Sequence, residues 1–87
     1  MKPLRFHYDN LAKHGVSEQE VEECLVKGKR KVLLKVGRRK YQVIAQTAAG
    51  RYLEIIFKEL SQERFVFHAM DARARDIKLW RRKGKRQ

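Results

Sequence analysis

The middle of the chain constrains the fold most. Residues 41–47 (YQVIAQT), 51–59 (RYLEIIFKE) and 64–70 (RFVFHAM) are three runs rich in β-branched and aromatic residues. Such residues favour strands, where alternate side chains point to opposite faces. Ala48-Ala49-Gly50 separates the first two runs, and Ser61-Gln62-Glu63 lies between the last two. Connections this short join antiparallel neighbours, because a parallel pair needs a crossover of about a dozen residues or more. Gly50 suits a turn position with positive φ. A further run, KVLLKV at 31–36, leads in through Gly37-Arg38-Arg39. The expectation is an antiparallel meander of four or so strands.

Helix signals flank the meander. Ser17-Glu18-Gln19-Glu20 is a capping box: the Ser17 hydroxyl accepts from the Glu20 amide, and the Glu20 carboxylate accepts from the Ser17 amide. Val16 can staple onto Val21, and Val21, Cys24 and Leu25 share a face, with Gly28 as the stop. The helix is expected over 17–27. Upstream, LRFHY (4–8) reads as a short strand, followed by a helix capped by Asp9 or Asn10 that runs to His14 and ends at Gly15. Downstream, Asp71 is the expected cap of a last helix over 72–83. Ala74, Ile77 and either Leu79 or Trp80 should face inward, with Arg75, Lys78, Arg82 and Lys83 outward. The order gives an α+β fold with helices on one face of the sheet and the other face partly open beside the last helix. A length of 87 residues supports one core. The expected organisation is one domain over 1–83 and a basic, flexible tail over 84–87.

Charge points to an anionic partner. The chain carries 22 Lys and Arg against 10 Asp and Glu, a net charge of +12. Residues 27–40 hold eight of the cations and no acid. Residues 72–87 hold eight more with Asp76 as the only acid, so the rest of the chain sums to −3. Two basic blocks that converge in space would contact phosphates; left apart, they are solvated surface.

Several chemistries lack their motif. No Gly-rich phosphate loop, Cys-x-x-Cys or helical His pair at metal spacing is present, so no cofactor and no metal is expected. The single Cys24 cannot form an internal disulfide, and no apolar run approaches a membrane span; a cytoplasmic protein is expected.

Four segments taken in order carry a family resemblance: FHYD (6–9), KHGVSEQEVEE (13–23), YQVIAQTAAGRYLEIIF (41–57) and HAMDARARD (68–76) before a basic helix. Together they resemble the BrnT-like toxins of bacterial type II toxin–antitoxin systems. Typical members have Trp where Tyr8 stands here. The resemblance implies a RelE-like fold, metal-independent endoribonuclease activity that inhibits translation, and neutralisation by a small cognate antitoxin. The alternative is a non-catalytic module of the same fold that binds RNA or an acidic protein.

Metal-free RNA cleavage needs a base for the ribose 2′-hydroxyl, a cation for the phosphorane and an acid for the leaving oxygen. The catalytic candidates are His68, Arg51, Arg73 and His14. His68 shares strand parity with Val66 and Met70, so its alternative is a satisfied, partly buried histidine. His14 could instead serve as a helix C-terminal cap. Arg51 heads a strand after Gly50, and turn stabilisation competes there with phosphate contact. Arg73 and Arg75 open the last helix, where free amides also favour a phosphate. Arg75, Lys78, Arg82, Lys31, Arg38 and Arg39 are the candidates for general RNA contact.

Overall fold

A computed structural model describes residues 2–27 and 30–84. The five strands are β1 (Leu4–Phe6), β2 (Lys31–Gly37), β3 (Lys40–Gln46), β4 (Tyr52–Glu59) and β5 (Arg64–Asp71). They form one sheet in the order β1-β5-β4-β3-β2. The meander is as expected: β2 to β5 pair antiparallel in succession. The sheet has five strands rather than four because β1 adds to the free edge of β5, parallel to it, with Phe6 opposite Val66. Gly50 takes its positive φ, at 94°.

Alternation divides the sheet into two faces. Val43 lies opposite Ile55, and Ile55 opposite Ala69. With Leu53, Phe57, Val66 and Phe6 they form the sheet side of the main core. Three short helical segments supply the other side: α1 (Tyr8–Lys13), α2 (Glu18–Glu22) and a π-helical turn (Glu23–Lys27). They contribute Leu11, Val21, Cys24 and Leu25, with Val16 from the intervening loop. Each large apolar side chain buried this way contributes about 1.5–3 kcal/mol.

The capping box forms as read: the Glu20 amide donates to Ser17 Oγ at 3.1 Å, and the Ser17 amide to Glu20 Oε1 at 3.0 Å. The single helix expected over 17–27 is split. Its second half widens to i→i+5 pairing, and two consecutive residues, Cys24 and Leu25, are buried there. Gly28, the expected stop, and residues 85–87 of the expected tail lie outside the described residues, while Gly84 ends a helix. The cap of α1 is His7 rather than Asp9 or Asn10: its Nδ1 accepts from the Asn10 amide at 3.3 Å. His14 is the C-cap of that helix, and Gly15 follows at φ 64°.

The last helix, α3 (Ala74–Gly84), packs on the opposite face from α1 and α2. The expectation of helices on one face only is corrected here. Strand parity left the second face an apolar patch of Val32, Ile44 and Tyr52, which Trp80, Leu79 and Ala72 cover. The Tyr52 and Trp80 rings meet edge-on at 5.1 Å. The helix also starts later than expected, because Asp71 stays in β5 opposite Leu53. Its buried positions are Asp76 and Trp80, one turn apart, while Ala74 is exposed. α3 packs chiefly on β2 and β3, and the end of this face that holds Lys40, Lys58 and Phe65 stays partly exposed.

Candidate active site

The site lies where β4, β5 and the start of α3 meet. Glu54 is in the centre of β4, opposite Ile44 on one side and Met70 on the other, and so faces α3. It is only 4% exposed. Its Oε2 is 3.6 Å from His68 Nε2, and its Oε1 is 3.9 Å from Arg73 Nε. Oε1 has no hydrogen-bond partner. Asp76, also buried, lies beside this carboxyl. Burial raises the Glu54 pKa above its ordinary value and Asp76 adds to the rise, against the opposing pull of Arg73 and Arg75.

His68 is aimed into this site by a β-bulge. Phe57 pairs with Val66 and Ile56 with His68, which leaves Phe67 as the extra residue of β5. Val66 is then a core residue, and His68 lies on the α3 face beside Glu54. The His68 side chain is 26% exposed. Burial, followed by His14 and Arg73, holds its pKa below the ordinary histidine value. The His14 and His68 rings are 5.7 Å apart at 66°. Two imidazoles, one guanidinium and one buried carboxyl therefore converge.

A cleft of about 500 Å³ adjoins the Glu54–Arg73 side of this cluster, while His68 and His14 lie outside its lining. Gln42, Glu54 and Ile56 form its floor, and Arg73, Arg75 and Arg82 its α3 wall. Such a surface offers phosphate-sized anions several cations around one acid–base pair.

The structure brings His68, His14 and Arg73 together and lines the adjoining cleft with Arg75 and Arg82. Lys78 is exposed on α3 but does not line the cleft. Arg51 is engaged inside the chain through every guanidinium nitrogen. Its Nε donates to Asp71 at 2.7 Å, one terminal nitrogen to Glu20 and the Gly15 carbonyl, and the other to the His14 carbonyl. It clamps the α1–α2 connection onto the sheet, so His14 depends on it. The first basic block does not join the cleft as a unit. Lys31 donates from its Nζ to the Leu25 carbonyl on the α2 side, and Arg38 and Arg39 form the β2–β3 turn, with Arg39 at φ 55°.

Sequence reasoning missed Glu54 and Asp76. A signal existed for each. Glu54 is the lone charge within the apolar run Tyr52–Phe57, and Asp76 is the lone acid of the last basic block. Cys24 is no nucleophile: it is fully buried, and burial pushes its thiol up to about 12. Among the described residues no three His, Cys, Asp or Glu side chains are arranged to hold a metal ion, and no helix is long and apolar enough to cross a membrane.

No protein-family model matches the chain, and no curated protein matches its sequence. A solved structure does match. The 1.1 Å crystal structure of the Brucella abortus ribonuclease toxin BrnT superposes with a TM-score of 0.65, over 84% of this chain and 99% of that one. The fold is BrnT-like. Sequence identity is 18%, so the likeness is one of architecture. The BrnT-like resemblance of the four ordered segments and the superposition thus agree on one fold.

Proposed function

We propose that this chain is a toxin of a bacterial toxin–antitoxin pair and acts as a metal-independent endoribonuclease that inhibits translation. The single observation that carries the reading is the pairing of His68 with buried Glu54 beside Arg73, the latter two lining a cation-walled cleft on a BrnT-like fold.

His68 is the general base. Its lowered pKa keeps the imidazole neutral at physiological pH, ready to take the 2′-hydroxyl proton. The 2′-oxygen then attacks the adjacent phosphorus, and the bond to the 5′-oxygen breaks. Arg73, 56% exposed at its side chain, carries the charge of the phosphorane. His14, across from His68, donates a proton to the departing 5′-oxygen. The products are a 2′,3′-cyclic phosphate and a 5′-hydroxyl. Glu54 is a positioning residue: too buried to reach RNA, it orients the His68 ring through Nε2. Arg51 is a second positioning residue, holding the His14 backbone. Arg75 and Arg82 supply cleft affinity, and Lys78, Lys31, Arg38 and Arg39 add longer-range attraction for RNA.

The partner in the cell is a cognate antitoxin with acidic segments, and the setting is the cytoplasm. The test is expression of the chain alone and together with its neighbouring gene. Growth arrest with RNA fragments ending in cyclic phosphate, reversed by the neighbour, supports the reading. Normal growth with intact RNA contradicts it.

A further inference from the structure

The partly exposed end of the α3 face holds an aromatic group that the acid–base cluster does not use. β1 places Arg5 opposite Phe65, and Phe65 opposite Lys58 of β4. The β5 bulge adds Phe67, the residue that has no partner on β4. The Phe65 and Phe67 rings are 6.3 Å apart and inclined at 33°. His7 adds a third ring, 6.3 Å from Phe65. Cations lie over these rings: the Arg5 guanidinium is 4.4 Å from the Phe65 centroid, and Lys40 Nζ is 5.3 Å from that of Phe67. Two acids lie at the group: Glu63, ion-paired with Arg5, and exposed Asp9, at the rim next to Tyr8. Next to the rings is an open concavity of about 370 Å³, lined by Arg5, His7, Tyr8 and Phe65 among others. Tyr8 is 62% exposed there.

Core packing does not account for this group. Phe65 and Phe67 are absent from both apolar clusters, although Phe6 and Val66 beside them are buried in the main one. Partly exposed aromatic rings interleaved with cations match what single-stranded nucleic acid needs. Each base has a π-face that stacks on a ring or a guanidinium plane, and each phosphate needs a cation. A paired duplex hides its base faces and cannot use such a platform. Phe67 directly precedes His68, so a strand stacked here leads its next phosphate towards the site.

Building on the ribonuclease reading, we propose that Phe65 and Phe67, with Arg5 and Lys40 over their rings, form a base-stacking track that threads single-stranded RNA towards His68. The track is sequence-tolerant, because stacking does not read base edges. It makes the substrate unpaired RNA rather than a helix.

The experiment measures binding of a fluorescently labelled, uncleavable 2′-O-methyl RNA 12-mer, single-stranded and as a duplex, to the full chain and its variants. Phe65→Leu/Phe67→Leu keeps apolar bulk and removes the π-faces. It should weaken single-strand binding about tenfold or more, as expected for the loss of even one stacked base. Phe65→Tyr/Phe67→Tyr, which restores the rings, should bind like the parent. Duplex binding should be weaker than single-strand binding and change little in either variant. Circular dichroism checks that the Leu variant is folded, and the Tyr variant carries the test if it is not. If the Tyr variant then loses single-strand binding, or if the folded Leu variant binds like the parent, the track is overturned. If Arg73→Ala still weakens binding in that case, the ribonuclease reading stands. If the parent binds neither RNA, both fall.

Discussion

Replacing Glu54 with Gln should make the protein more stable and less active at once. In the folded chain this carboxyl is 4% exposed, and its Oε1 has no hydrogen-bond partner. Burial and the neighbouring Asp76 disfavour its charged form, so its folded pKa lies above the ordinary 4.5. The folded state then binds more protons than the unfolded state between those two values. Stability therefore falls as pH rises through that window, and above it the full penalty is present. Gln keeps the shape, is neutral at every pH, and brings an amide that can donate to Asp76. Relief of one unsatisfied buried group is worth about 1–3 kcal/mol. For a domain of this size each kcal/mol moves Tm by about 4–8 °C. Thermal melts followed by circular dichroism from about pH 4 to about pH 8 read this directly. The Gln variant should melt higher at the alkaline end, with the gap closing as the pH falls. Cleavage of RNA should fall because a neutral amide oxygen orients the His68 ring more weakly than a carboxyl that can ionise. A variant that melts lower than the parent at the alkaline end, or a gap that ignores pH, refutes the assignment of Glu54 as a strained, uncompensated group. Functional sites commonly carry such a trade of stability for activity.

Further outcomes follow from the same geometry. The acid limb of the pH–rate profile for RNA cleavage should lie below the ordinary histidine value of 6.5, since His68 must be neutral to act and its pKa is lowered; a limb above 6.5 argues against His68 as base. Ser17→Ala removes a formed cap and should cost about 1 kcal/mol in denaturant melts. Arg51→Met severs contacts to Asp71, Glu20 and the His14 and Gly15 carbonyls. With the side chain 29% exposed, the expected cost is about 1–2 kcal/mol by the same melts. Arg75→Ala should weaken binding of all single-stranded RNAs alike and lower the slope of log affinity against log salt by about 1 in fluorescence titrations.

The local rules carried much of the fold into view. The Ser17–Glu20 box, the helix end at Gly15, the positive φ of Gly50 and the 41–70 meander are dictated by neighbours in sequence, and all form as read. What escaped depended on pairing between distant segments. The side of the sheet taken by α3 follows from the apolar patch of Val32, Ile44 and Tyr52, which exists only once β2, β3 and β4 are in register. The π-helical turn over Glu23–Lys27 is not announced either, because Val21, Cys24 and Leu25 fit one face of an ordinary α-helix equally well. The candidate site is legible in part. Histidine and arginine drew notice as residue types, and His68, His14 and Arg73 do meet. Glu54 and Asp76 did not, because a buried carboxyl reads in sequence as one more surface acid. Arg51 looked free to bind phosphate, and only the closed α1–α2 connection reveals what occupies it.

The central claim is that His68, backed by Glu54, takes a 2′-proton while Arg73 holds the phosphate. The most direct measurement is analysis of the ends produced when the purified chain is incubated with single-stranded RNA in excess EDTA. The account predicts cleavage to 2′,3′-cyclic phosphate and 5′-hydroxyl ends, abolished in a folded His68→Ala variant. Intact RNA under these conditions, or undiminished cleavage by His68→Ala, would contradict it.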